Sequence, residues 1–247
     1  MQPGIIRVPL APIRSEADDR AEMVTQGLFG ERLKWKALDA PAGWAKITLE
    51  RDGYQGYTDV KLISSDPDAL EAFGQKTSRL SAPLTMLEWQ GRPYHLPAGS
   101  RVPESIWPLQ AQHQDLPVDV ASRFLGAPYL WGGKSVLGMD CSGLTQLACD
   151  LCGIALPRDA SDQWDALKSD ETSFRELLHG DLVFFHRKNP TQVTHVGFAW
   201  KPSEGVVHVL HASGEVRIDL LTSEGILRDG AQTHLWTGAA RCPVSSE

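Results

Sequence analysis

One cysteine and a set of histidines in this chain are spaced so that a nucleophile and its base can meet. Cys141 stands in Asp140-Cys141-Ser142-Gly143, a turn that opens a run with apolar side chains at Leu144, Leu147, Ala148, Leu151 and Cys152. That is the i, i+3, i+4, i+7, i+8 pattern of one helical face. A thiol attacks only as thiolate, and a helix N-terminus or a neighbouring imidazolium brings its pKa toward physiological pH. Gly143 removes a side chain where a substrate has to approach closely. A lone cysteine at a tight turn also reads as simple packing, so the imidazoles have to decide.

His195 lies in the strand-like run Thr194-His195-Val196-Gly197-Phe198-Ala199-Trp200, and the next run holds His208 and His211. Side chains alternate faces along a strand, so only one of those two shares a face with His195. A five-residue hairpin loop over Lys201-Pro202-Ser203-Glu204-Gly205 sets Trp200 opposite Val206 and therefore His195 opposite His211. A one-residue slip would put Leu210 there instead. In the first register His211 orients the ring of His195, as a carboxylate or amide does in other triads. His208 falls on the other face.

The elements that must hold these groups are legible from texture. Residues 1–64 read as short strands at Gly4 to Val8, Gly30 to Trp35, Trp44 to Leu49 and Gly56 to Val60, separated by turn residues, the grammar of a small barrel. Residues 65–114 alternate brief apolar runs with prolines and read as a second small β module or a linker. Residues 115–247 open with helical patterns and close with strands at Asp181 to Phe185, Thr194 to Trp200, Val206 to His211 and Glu215 to Leu220. The expectation is an α+β domain preceded by one or two small barrels.

Composition removes several function classes. Hydrophobic residues make up 42% and charged residues 22% of 247 positions, enough for a core in each of two or three folding units. The net charge is -7, with 13 basic and 14 acidic side chains in residues 1–114 and 11 and 17 in the remainder. No basic run offers a phosphate-binding stripe, so nucleic acid is not an expected partner. No window approaches the roughly 18–20 apolar residues of a membrane span, and the opening MQPGIIRVPLAPIR lacks the apolar segment of a secretory signal. A cytoplasmic location without membrane contact is expected, and no protein partner is implied. Cys149-Asp150-Leu151-Cys152 is a C-x-x-C without the further ligands that tetrahedral zinc needs, so it reads as packing and no metal is expected.

From about Asp115 onward the chain resembles the NlpC-type cysteine peptidases, papain-like enzymes that cut bacterial cell-wall peptides. The resemblance is carried by Ala127-Pro128-Tyr129-Leu130-Trp131-Gly132-Gly133, Asp140-Cys141-Ser142-Gly143-Leu144, Pro157-Arg158-Asp159-Ala160, Gly180-Asp181-Leu182-Val183-Phe184-Phe185, Thr194-His195-Val196-Gly197 and His211-Ala212-Ser213. Leu28-Phe29-Gly30-Glu31 and Arg51-Asp52-Gly53-Tyr54-Gln55-Gly56-Tyr57 look like the bacterial SH3-like barrel that precedes such domains in a subgroup acting on murein peptides. The resemblance implies Cys141 as nucleophile, His195 as base, His211 as third member and Tyr129 near the oxyanion. It also implies substrate contacts from Asp140, Ser142 and Asp159, and from Glu31 or Tyr54 on the barrel, which would read a free α-ammonium. The implied reaction is hydrolysis of the γ-D-glutamyl bond to a diamino acid in murein peptides with a free N-terminal L-Ala, a step of cell-wall peptide recycling, without a cofactor. The same triad also serves a papain-like amidase or acyltransferase on another substrate, and an inactive ligand-binding module stays open until the thiol is tested.

Overall fold

The computed structural model describes residues 1–89, 91–107, 115–187, 189, 192–203 and 205–243. The chain divides into two compact units, Met1–His113 with Trp131–Val136, and Gln114–Leu130 with Leu137–Glu247. Parts of two expected loops, residues 108–114 of the module or linker and Glu204 of the hairpin loop, lie outside the described residues.

In the first unit, strands β1 (Gln2–Ile6), β2 (Leu10–Arg14), β3 (Met23–Leu28), β4 (Arg32–Ala37), β5 (Trp44–Leu49), β6 (Gln55–Asp59) and β7 (Ile63–Ser64) form one barrel-like sheet ordered β3-β2-β6-β5-β4-β1-β7. Period-two alternation sends Ala11 and Ile13 of β2, and Ala45, Ile47 and Leu49 of β5, into a core shared with Ile6, Leu33 and Ile63. Strands β2 and β3 had no clear strand signal in the sequence. Pro12 interrupts one, and the other buries Thr25 and Gln26 where an apolar alternation would be looked for.

Residues 67–103 are a folded part of this unit and not a linker. They supply α1 (Pro67–Gly74) and two antiparallel pairs, β8 (Thr77–Arg79) with β11 (Arg101–Pro103) and β9 (Leu84–Trp89) with β10 (Arg92–Pro97). Phe73, Leu80, Leu87, Leu96 and Val102 share a second core with Ile5 and Phe29 of the barrel, where Phe73 and Trp89 stack at 5.2 Å. Gly30 makes this junction possible. Its φ is +77°, and a Cβ there would lie 2.2 Å from the Arg101 carbonyl oxygen.

The segment Trp131–Val136, expected within the catalytic domain, belongs to the first unit and carries β12 (Lys134–Ser135). Trp131 Nε1 donates to Glu22 at 2.6 Å and the Lys134 backbone N–H to Gln26 Oε1 at 2.9 Å. Lys134 Nζ, 1% exposed, reaches Glu31 Oε1 at 3.0 Å, while Glu31 Oε2 accepts the Leu28 N–H at 2.8 Å.

The second unit contains α2 (Pro117–Ser122), β13 (Gly138–Met139), α3 (Cys141–Leu151), α4 (Ala160–Leu167) and strands β14 (Glu171–Thr172), β15 (Leu182–His186), β16 (His195–Trp200), β17 (His208–Ser213), β18 (Glu215–Thr222), β19 (Gly225–Arg228) and β20 (Ala231–Ala240). The sheet runs β14-β20-β15-β16-β17-β18-β19, and β19 pairs back onto β20, so six strands close on themselves. Helix α3 packs against α2 and β16 and is buried along its whole length from Cys141 to Asp150, beyond the single apolar face read from the sequence. Gly153, with φ +80°, ends it. No helix among the described residues is long and apolar enough to cross a membrane.

The buried Glu31 to Lys134 pair should be the most sensitive point of the first unit. Glu31→Gln leaves an ammonium in the interior without its carboxylate, and breaking such a pair costs about 3–5 kcal/mol. Glu31→Gln with Lys134→Met removes both charges and is expected to recover most of that loss. Denaturant unfolding of the three proteins, followed by tryptophan fluorescence, measures it; an equal loss in the single and double variants contradicts the assignment.

Candidate active site

The site grows from the start of α3. Asp140 caps the helix, accepting the Gly143 N–H on Oδ1 at 2.7 Å. Arg158 grips the same carboxylate with both terminal nitrogens, at 3.0 Å to Oδ1 and 2.6 Å to Oδ2, and donates to Ser142 Oγ at 2.9 Å. Gln163 of α4, fully buried, donates to the carbonyl oxygens of Ser142 and Pro157 and accepts from Thr145 Oγ1. The turn holding Cys141 is therefore braced from three sides. Asp140 and Ser142 are both engaged within it, and Asp159 stands at the N-cap of α4 without a side-chain capping bond.

Cys141 is 6% exposed. Its helix packs against β16, and the backbone N–H of Val196, the residue after His195, acts on the thiol in favour of its charged form. The helix start was expected to lower the thiol pKa; instead burial pushes it up to about 12, with the Asp140 charge adding to the rise, while the Val196 N–H, Arg158 and the Ser142 N–H pull the other way. The Tyr129 phenol is likewise raised, by burial first and then by Cys141 and Asp140, so these three groups bear on one another.

The imidazoles meet, though not in the expected register. Phe198 lies opposite Leu210 and Trp200 opposite His208, so the ladder is displaced by two residues from the one that set His195 directly against His211. The connection takes in Val206 and Val207, because the Val207 carbonyl accepts from Leu221 of β18 instead of continuing the hairpin. A shift of two preserves strand parity, so His195 and His211 still share a face, as diagonal neighbours. His195 Nε2 and His211 Nδ1 are 2.7 Å apart. Gly197 lets β17 pass close: a Cβ there would come within 2.7 Å of Val209 Cγ2, 2.8 Å of the Leu210 carbonyl oxygen and 2.9 Å of the His211 Cβ.

Three groups in this cluster were not found in the sequence. Asp219 Oδ2 is 3.1 Å from His211 Nε2, and Arg217 donates to Asp219 Oδ1 through Nε at 3.0 Å and through its terminal nitrogen at 2.9 Å. His234 of β20 stacks on His195 at 4.2 Å with 23° between the rings. None belongs to a motif: Asp219 and Arg217 arrive through the hairpin of β17 and β18, and His234 through the closing of the sheet at β20. Parity did hint at Asp219, since Arg217 and Asp219 share one face of β18.

Burial sets the charge states. It holds His195 well below its ordinary pKa of 6.5, with like-charge repulsion from His211, His234 and Arg187 in the same direction. His211 is lowered by burial against the pull of Asp219, and His234 is lowered to about 4. Burial opposes the Asp219 charge, but the bonds from His211 and Arg217 outweigh it and keep the carboxyl below its ordinary value.

Of the expected site residues, Cys141, His195, His211, Tyr129, Asp140, Ser142 and Asp159 lie in the second unit. Glu31 and Tyr54 lie in the first, Glu31 buried against Lys134 and Tyr54 packed on the barrel core. Among the described residues no three or more His, Cys, Asp or Glu side chains are grouped to hold a metal ion.

Comparison with known proteins adds to this geometry. Residues 126–232 match the NlpC/P60 family model and residues 13–61 the model of the bacterial dipeptidyl-peptidase SH3 domain. A gamma-D-glutamyl-L-lysine dipeptidyl-peptidase of Bacillus cereus is 32% identical over 121 residues, 48% of this chain and 35% of that protein. One of the same name from Bacillus subtilis is 40% identical over 81 residues, 32% of this chain and 27% of that protein. These matches thus span about a third of the relatives' length or less. The crystal structure of an NlpC/P60 family protein from Bacillus cereus covers 97% of this chain and 99% of its own, with a TM-score of 0.76 at 18% identity, a likeness of fold. A thiol braced at the start of a buried helix beside a line of imidazoles, on a sheet of this fold, agrees with both matches: residues 126–232 are an NlpC/P60 domain and residues 13–61 a bacterial dipeptidyl-peptidase SH3 domain.

Proposed function

We propose that this protein is a cysteine peptidase that hydrolyses the γ-D-glutamyl bond to a diamino acid in murein peptides with a free N-terminal L-Ala, as a step in cell-wall peptide recycling. The observation that carries it is the Cys141 thiol at the capped start of α3, a helix packed against β16, whose His195 ring is paired with His211. The names of the relatives supply the bond.

Both the thiol and the imidazole are driven toward their neutral forms by burial, so proton transfer accompanies attack. The Cys141 proton passes to His195 Nδ1, the nitrogen not bonded to His211, as sulfur adds to the carbonyl carbon. The Tyr129 hydroxyl, kept protonated by its raised pKa, donates to the oxyanion. Collapse expels the amine of the diamino acid, which takes the proton back from His195. Water, deprotonated by the same ring, then cleaves the thioester and releases L-Ala-γ-D-Glu.

Incubation with L-Ala-γ-D-Glu-diaminopimelate and its L-lysine counterpart, with products identified by mass, is expected to yield L-Ala-γ-D-Glu. Cys141→Ala and Cys141→Ser should lose activity by several orders of magnitude and stay folded. Cleavage by Cys141→Ala contradicts the mechanism. N-acetylation of the peptide should lower kcat/KM tenfold or more, roughly the worth of a charge-assisted hydrogen bond. Equal rates on both forms make the enzyme an endopeptidase.

The lowered pKa of His195 also predicts the acid limb of the pH profile. A general base works in its neutral form, and His195 keeps that form below its ordinary pKa of 6.5. Therefore kcat/KM should hold as the pH falls through 6.5 and decline only at more acid pH. A limb centred at or above that value contradicts the charge state assigned to the ring.

A further inference from the structure

His195, His211 and Asp219 form a line across three neighbouring strands, each step a diagonal one. His211 lies opposite Arg217, so Asp219 is two residues beyond direct opposition, as His211 is from His195. All three are buried, with 5%, 1% and 7% exposure, so the polar groups along the line depend on one another. Asp219 is the one member whose role is fixed by charge. An ionised carboxylate only accepts, and Arg217 occupies Oδ1 twice, leaving Oδ2 for His211.

The geometry points to Asp219 as a positioning residue that sets the tautomers of both histidines, so that His195 presents a bare Nδ1 to Cys141. This rests on the reading of Cys141 and His195 as nucleophile and base. Asp219 accepts, so His211 Nε2 carries a hydrogen. His211 is neutral, so its Nδ1 is a lone pair and accepts from His195. His195 Nε2 must then carry the hydrogen, and a neutral ring has no second one for Nδ1. When His195 takes the thiol proton its new charge faces the lone pair of His211, whose far side is anchored on the carboxylate.

Asp219→Asn tests this because Arg217 dictates how the amide lies. Two donations from Arg217 demand the amide oxygen, so the NH2 turns toward His211 Nε2. His211 must then hold its hydrogen on Nδ1, and His195 is driven to carry its own on Nδ1, facing the thiol. The expected result is a kcat lower by about 100-fold or more with KM within about threefold. Nitrogen-15 NMR of the imidazoles, assigned against His195→Gln, should show His195 protonated on Nε2 in the wild type and on Nδ1 in Asp219→Asn. Arg217→Leu added to Asp219→Asn frees the amide to turn its oxygen to His211 and should recover about tenfold or more of the lost kcat, a rescue that general loosening cannot give.

A wild-type His195 protonated on Nδ1, unchanged tautomers in Asp219→Asn, or a kcat within about threefold of wild type overturns the proposal. The wild-type spectrum needs neither a variant nor a substrate. If the wild type cleaves neither peptide, the substrate reading fails while the spectra, with the rate of Cys141 alkylation by iodoacetamide, still decide the role of Asp219.

Discussion

The line from His195 through His211 to Asp219 is closed off from water, and much of the second unit serves that condition. In bulk solvent each ring nitrogen would find a water molecule. At 5% and 1% exposure the two rings have to satisfy one another, and the last nitrogen needs a protein acceptor. Arg217 makes it tolerable for that acceptor to be an ionised carboxylate in the interior. The small residue at Gly197 lets β17, the strand that carries His211, pass close, since a Cβ there would meet Val209, Leu210 and His211.

The nucleophile is held by a different device. Asp140 both caps α3 and accepts two bonds from Arg158, so the turn around Cys141 is rigid before any ligand arrives. The electrostatic effects of that device oppose each other. Asp140 raises the thiol pKa, and Arg158 and two backbone N–H groups lower it, but desolvation is larger than any of them. A buried thiol beside a buried imidazole thus rests as a neutral pair, with proton transfer left to the reaction itself.

In the first unit the ordering principle is again a buried charge. Lys134 enters an interior of barrel side chains and is lowered by burial, against which Glu31 holds its charge. The pair also explains why Trp131–Val136 folds with the barrel although Tyr129 and Asp140, on either side in the chain, belong to the other unit.

What the sequence determined by itself was local. The helix from Cys141 to its stop at Gly153, the period-two strands and the shared face of His195 and His211 all follow from spacing within a few residues. Parity survived a wrong loop length because a displacement of two residues leaves every side chain on its face. Contacts between residues far apart in the chain were another matter. His234 reaches the imidazoles only because β20 comes round as the sheet closes on β19, and Lys134 finds Glu31 across a hundred residues of chain. The charge state of Cys141 was also decided there. A helix start promises a low thiol pKa, but desolvation depends on how much protein surrounds the sulfur, and only the packed fold sets that.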